Sequence, residues 1–299
     1  MHDRKLMVFA LGLVTLGLIG SIPLVSAGTP KEPSLVRIGM AKSFFHDIPK
    51  VLIDLAAEPF KSIMKTTTDL DGELNTEFEP FVVAQKVMDN QLELGVFHGH
   101  EFAWVQQKYP QLRPLMIAVN KHRDVRAFLI VKKDNPVIKV SELRGKDLAM
   151  PFATKEHCRV YLKRYCTDNA QCDPKAFFGS IVTSGSAEEA LDNVCLGKVQ
   201  ATVVDTIGLE FYKRIKEPCF NNNLRILQQS EAFPPAVIVY KQGVLSEKTL
   251  TQVRDGLQRA HTTEAGKDIM FMWKIAGFEG VHANFSQSLT DVIKAYPAP

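Results

Sequence analysis

Residues 140–159 read Val-Ser-Glu-Leu-Arg-Gly-Lys-Asp-Leu-Ala-Met-Pro-Phe-Ala-Thr-Lys-Glu-His-Cys-Arg, and the fold turns on how this stretch divides. Ser141 is placed to accept a backbone N–H at a helix N-cap, Leu143 packs inward, and Gly145 ends the turn. Leu148, Ala149 and Met150 then have the continuous apolar character of a buried strand. Residues 151–153 form a loop, and Thr154 stands as the N-cap of a helix carrying Val160, Leu162 and Tyr165. The result is a strand–loop–helix unit. Its helix start presents free N–H groups and partial positive charge, a setting for an anionic or polar small ligand.

The same alternation continues outward on both sides. Upstream, 35–40 reads as a strand and 41–47 as a loop. Ile48, Val51, Leu52, Leu55, Ile63 and Met64 recur at helical spacing, with Pro49 in the tolerated first turn and Pro59 at a kink. A polar stretch at 66–75 holds an Asp71-Gly72 turn signal; a second strand is expected at 78–81, a helix at 82–92 and a third strand at 94–97. His98-Gly99-His100-Glu101-Phe102 follows as a loop at a carboxyl strand end, where open α/β sheets keep their ligand crevice. Further strands are expected at 115–119 and 127–131.

Downstream, strands at 180–183 and 201–204 alternate with helices at 187–196 and 207–215. Ser186 and Glu189 have capping-box spacing, so 183–186 forms a second strand-to-helix turn with hydroxyls and amides. A strand at 236–240 returns, and helices follow at 246–261, 265–276 and 286–295. This order predicts an α/β chain of two lobes, each a mainly parallel sheet flanked by helices: lobe one from 28–131 with 234–299, and lobe two from 132–233. The chain crosses between lobes near Arg126 and again before Tyr240, and two crossing strands make a hinge around a cleft.

Composition narrows the function. The 299 residues are 45% hydrophobic and 23% charged, with 36 basic and 33 acidic groups and a formal net charge of +3, so the chain is globular. The charges are mixed along the chain, with no basic stripe to track nucleic acid. Arg4-Lys5 precede an apolar run from Leu6 to Val25, and Val25-Ser26-Ala27 is a small-x-small cleavage pattern, so residues 1–27 read as a signal peptide; retention as a membrane anchor is the other reading. All five cysteines fall between Cys158 and Cys219 and would meet an oxidising compartment. Spacing does not fix their connectivity. One arrangement pairs Cys166 with Cys172 and Cys195 with Cys219, leaving Cys158 over.

The order of the Val-Ser-Glu-Leu-Arg-Gly-Lys-Asp-Leu-Ala turn, the Thr-Ser-Gly-Ser-Ala-Glu-Glu-Ala-Leu turn and Leu-Gly-Lys-Val-Gln-Ala-Thr-Val-Val-Asp resembles the type 2 periplasmic substrate-binding proteins of ABC transporters. Within them it is similar to the phosphate, phosphite and phosphonate branch, over roughly 36–281. The first turn specifies only the superfamily; Arg126-Ala127-Phe128-Leu129-Ile130-Val131 and the second turn are more specific. The resemblance implies a periplasmic monomer that captures a small anion for a membrane permease, without a cofactor and without catalysis. Two features depart from the branch. Its Ser-Thr-Ser-Gly loop, which holds phosphonyl oxygens, corresponds here to 152–157 with one hydroxyl, Thr154. Its Gly-Pro…Tyr segment corresponds to Gly99-His100-Glu101-Phe102. Lys155 is then the residue to supply the grip lost with the serines.

The candidate ligand-binding residues are Phe44, His98, Glu101, Arg126, Thr154, Lys155, His157, Ser184, Ser186 and Asp205. Each has an alternative structural reading: Ser184, Ser186 and Asp205 as helix caps, Arg126 as a strand end, Phe44 as packing, Thr154 and its neighbours as a solvated loop. Arg126 has the fork that meets a carboxylate or phosphonate bidentately. His98, His100 and Glu101 also carry a metal reading, with His46 or His157 as remote ligands. Cys158 beside His157 is the one nucleophile–base pair worth weighing, and adjacent helical residues point about 100° apart, so the two do not meet. The same fold used as a sensor feeding a receptor kinase is the alternative to transport.

Overall fold

The structure is a computed structural model, and it describes residues 34–170, 173–273 and 275–299. The apolar run at 6–25 and Cys172 lie outside the described residues. Among the described residues no helix is long and apolar enough to cross a membrane.

The first half of the chain contributes β1 (Leu35–Ala41), a 3-10 turn (Lys42–Phe45), α1 (Lys50–Thr68), β2 (Asp71–Phe78), α2 (Pro80–Met88), β3 (Leu94–Phe97), α3 (Gly99–Lys108), β4 (Leu112–Val119) and β5 (Ala127–Lys132). The second lobe continues through β6 (Leu148–Pro151), α4 (Glu156–Ala170), α5 (Pro174–Phe177), β7 (Ile181–Ser184), α6 (Ala187–Cys195), β8 (Ala201–Asp205), α7 (Thr206–Ile215), α8 (Glu217–Asn223) and β9 (Leu224–Gln229). The chain ends with β10 (Ala236–Lys241), α9 (Glu247–Gln258), α10 (Glu264–Trp273), β11 (Gly277–Gly280) and α11 (Phe285–Ala295).

These strands form two sheets, ordered β11-β4-β10-β3-β1-β2 and β7-β6-β8-β5-β9. Both are mixed. β1 runs parallel to β2 and β3, and β6 parallel to β7 and β8, each pair joined through a helix. The strands that follow a crossing run antiparallel to their neighbours, β10 between β3 and β4 and β5 between β8 and β9, and β11 adds a further antiparallel pairing on the outer edge of β4. β5 therefore belongs to the second sheet rather than closing the first lobe at 131. The crossings are 120–126 and 230–235. They are paired to each other, with Val125 and Phe233 exchanging backbone bonds of 3.1 and 2.8 Å.

Several local expectations move. The Asp71-Gly72 turn is instead the start of β2, because Asp69 takes the left-handed turn at φ 59° and Asp71 N–H then bonds Ser34. Leu74 pairs with Ile38 in parallel register, and Pro80 opens α2 two residues after β2 ends at Phe78. Residues 98–102 are the N-cap and first turn of α3, not a loop. The sequence pattern announces neither β9 nor β11, edge strands with little apolar alternation.

Three apolar clusters fill the molecule. One lies on one face of the first sheet beneath α1, α9 and α10, with Ile38, Met64, Leu94 and Leu257. A second joins α2, α3 and α11 to the hinge and α4, through Phe97, Phe102, Phe233, Phe285 and Tyr161. The third packs α6 to α8 on the second sheet. The C-terminus is docked behind the hinge. Trp104 Nε1 donates to the Tyr296 carbonyl at 2.7 Å, the Tyr296 hydroxyl donates to Glu231 at 2.6 Å, and the Arg164 guanidinium covers the Tyr296 ring at 5.2 Å.

Candidate functional site

A cavity of about 600 Å³ opens where the two sheets face each other across the hinge. Three helix starts converge on it: His98 caps α3, Lys155 and His157 flank the first residue of α4, and Asp205 caps α7. Helix starts carry the positive end of the backbone dipole, so the convergence favours an anion. Gly99 allows the approach. A Cβ there would sit 2.5 Å from the Pro234 carbonyl of the return crossing.

Aromatic rings order the site. Phe44 stacks on His98 at 3.8 Å, His98 lies 5.5 Å from His100, and Phe233 stands between His100 at 5.5 Å and His157 at 5.4 Å. One histidine pair thus comes from lobe one and the third from lobe two. The Nε2 atoms of His98, His100 and His157 are buried without a hydrogen-bond partner among the described residues. Burial drives all three imidazoles to the neutral form, holding His98 well below its usual range, His100 near 3 and His157 near 4. Asp205 opposes that shift at His157, and Lys155 adds to it. Orphaned buried nitrogens are costly, and a ligand's oxygens are the natural partners for them.

The loop into α4 carries backbone strain. Ala153 has φ 52°, a left-handed conformation uncommon for a residue with a Cβ, and it borders the cavity beside Phe152. At the cavity mouth His46 meets Glu156 at 2.9 Å, and Asp47 pairs with Arg159, so the turn after β1 is tied to α4 across the cleft. Exposed pairs of this kind contribute at most about 1 kcal/mol each, which suits a cleft that opens and closes.

Of the ten candidates, Phe44, His98, Lys155, His157 and Asp205 border the cavity. The others do not. Glu101 turns back as the capping box of α3, accepting the His98 backbone N–H at 3.1 Å, and burial lifts its carboxyl to about 8. Arg126 is a hinge clamp, its guanidinium donating to the Ser230 carbonyl at 2.6 Å while its backbone N–H bonds Thr206 Oγ1 at 2.8 Å. Thr154 spends its hydroxyl on the Pro151 carbonyl at 2.5 Å. Ser184 is buried against Asn193 at 3.4 Å, and Ser186 caps α6. The cavity is also bordered by His100, His122, Arg123, Phe152, Phe233 and Trp273, which are not among the ten candidates. The Phe233-Pro234-Pro235 run was the one legible signal, since paired prolines mark chain that leaves a sheet.

Among the described residues no group of three His, Cys, Asp or Glu side chains is placed to hold a metal ion. Burial pushes the Cys158 thiol well above its usual range, so it stays protonated and unreactive. The sulfurs of Cys195 and Cys219 lie 2.9 Å apart as two free thiols in contact, not joined in a disulfide.

Comparison with known proteins bears on the fold and the family. A methylphosphonate complex of PhnD1 from Prochlorococcus marinus superposes with a TM-score of 0.56 at 13% identity, over 88% of this chain and 98% of that one. The binding component of an ABC phosphonate transporter from Pseudomonas aeruginosa gives 0.55 at 13% identity, over 88% and 86%. A Xanthomonas citri protein bound to ATP gives 0.57 at 14%, over 88% and 97%. At these identities the likeness is one of fold. No curated protein matches by sequence. The sequence model for the phosphonate-binding periplasmic substrate-binding proteins of ABC transporters matches residues 44–284. The chain belongs to this family of periplasmic binding proteins, which bind solutes and are not enzymes.

Proposed function

We propose that the protein is exported by residues 1–27 and captures a phosphonate- or phosphate-like oxyanion between its lobes for delivery to a membrane permease. The observation that carries this reading is the cavity where the starts of α3, α4 and α7 meet three buried imidazoles with unpartnered Nε2 atoms. Neutral imidazoles, the N–H groups at the start of α4 and the Lys155 ammonium bind an oxyanion by hydrogen bonds; the Arg123 guanidinium adds positive charge at the cavity, and the Asp205 carboxylate, which caps α7, offsets part of it. Residues 120–126 and 230–235 are the hinge about which lobe two closes, and Arg126 holds the two crossings together. The membrane permease would then read the closed, solute-bearing form.

The test is calorimetric titration of the exported protein with methylphosphonate, phosphate, phosphite and sulfate. Saturating ligand at 100 times its Kd adds about 2.7 kcal/mol, an upward shift of several degrees in melting temperature. Binding of a phosphonyl or phosphoryl oxyanion at micromolar Kd is the expected outcome. Absence of heat and of thermal shift with all four anions rules the reading out.

A further inference from the structure

The cavity does not stop at the histidines. On the lobe-one side it continues beneath α1, between Ile38 of β1, Leu94 of β3, Met64 of α1 and Leu257 of α9. These residues belong to the apolar cluster of the first sheet, so the arm is a gap within a hydrophobic layer. A tetrahedral oxyanion has roughly the volume of two or three waters, each ~30 Å³ in the liquid. In a cavity of about 600 Å³ it would leave most of the space empty, and interiors do not keep such apolar space idle.

Helix α1 supplies a second, independent observation. Its C-terminal half is buried on the sheet through Phe60, Ile63 and Met64. Its N-terminal half overhangs the cavity instead: Leu52 and Leu55 border it, yet remain 53% and 62% exposed. Pro59 separates the two halves and has no N–H for the Leu55 carbonyl, so the roof is free to pivot there. Apolar side chains that roof a cavity without being covered are waiting for an apolar partner.

We infer that the ligand is amphipathic, with its oxyanion at His98, His100 and His157 and an alkyl chain lying in the arm beneath α1. The inference rests on the anion-capture reading and specifies its substrate class: phosphonates or phosphate monoesters bearing a chain of several carbons. Inorganic phosphate would fill the head position alone. The N-terminal half of α1 closes over the chain, removing Leu52 and Leu55 from water together with it.

The experiment titrates the exported form of the full chain with methyl-, butyl-, hexyl- and octylphosphonate, and with octanoate as a chain lacking the phosphonyl head. Affinity is expected to rise about fourfold for each added methylene until the arm is full. A flat series overturns the inference and leaves oxyanion capture standing. Binding of octanoate without any phosphonate sustains the apolar arm and removes the phosphonyl head; binding of none of the five overturns both. Two variants locate the chain. Leu52→Glu flattens the series, whereas Val51→Glu, 69% exposed and outside the cavity lining, keeps its slope. An undiminished slope in Leu52→Glu places the chain elsewhere and overturns the assignment.

Discussion

The turn from β6 into α4 and the turn from β7 into α6 lie side by side in the second sheet, with Pro151 registered on Ser184 and Phe152 N–H bonded to the Ser184 carbonyl at 2.6 Å. Both leave a parallel strand at its carboxyl end, and both carry hydroxyls at a helix start. At α6 the chain answers its own donors: the Glu189 carboxylate takes the Gly185 N–H at 2.7 Å, and Ser186 Oγ takes the Glu189 N–H at 3.1 Å. At α4 the Thr154 hydroxyl turns back on Pro151, Ala153 sits in strained left-handed backbone, and Lys155 and His157 border the cavity. Between these two turns, the completed cap marks the structural one and the strained one borders the cavity; α3, also closed by a capping box, reaches the cavity through its His98 and His100 side chains instead.

The largest effect that separates the two turns is in acid. His157 is held neutral down to about pH 4 by burial, against about 6.5 in the unfolded chain. Its folded pKa is depressed, so its share of stability is complete above about pH 6.5 and is lost as pH falls towards 4. His98 and His100 act in the same direction, so the acid loss is shared by three buried imidazoles. Urea unfolding at pH 7 and at pH 4.5 should show His157→Gln to be less acid-sensitive than the parent. Equal sensitivity would mean that the imidazole is solvated after all.

Affinity divides the turns next. Lys155→Ala should weaken methylphosphonate binding about a hundredfold, roughly 2.7 kcal/mol, while Ser186→Ala leaves it unchanged. A comparable loss in Ser186→Ala would place ligand at α6 and reverse the assignment. Stability should show the converse, since removing the Ser186 cap costs about 1 kcal/mol, visible as a lower urea midpoint at constant slope. The smallest effect belongs to Ala153→Gly. Relief of the left-handed strain, about 1 kcal/mol, is offset by the entropy of a glycine in the unfolded chain, leaving a net gain of no more than about 0.5 kcal/mol. A clear destabilisation would show that Ala153 packs rather than strains.

The α/β alternation, two lobes and a double crossing were legible because apolar strands and amphipathic helices write their periods into the chain. The edge strands β9 and β11 were not, since each has one strand neighbour and little face to alternate. The candidate site was half legible. Strand-end and helix-start positions such as His98, Lys155, His157 and Asp205 follow from the rule that ligands gather at carboxyl strand ends. The same positional rule also nominates Glu101, Thr154, Ser184 and Ser186, and Arg126 through its place at the crossing. Each has an internal partner within hydrogen-bond distance that no spacing rule predicts.

The sequence by itself determined the family-level answer: an exported-looking α/β chain, apolar periods for two sheets, and helix starts suited to an anion. Tertiary structure alone decided which donors remain open, because closing a capping box or clamping a hinge depends on side chains meeting across the fold. It alone decided, too, that His100 and Phe233 join His98 and His157 around one space, and that this space runs on under α1. Hydrogen-bond satisfaction and enclosed volume are properties of contacts between distant residues, and a local pattern carries neither.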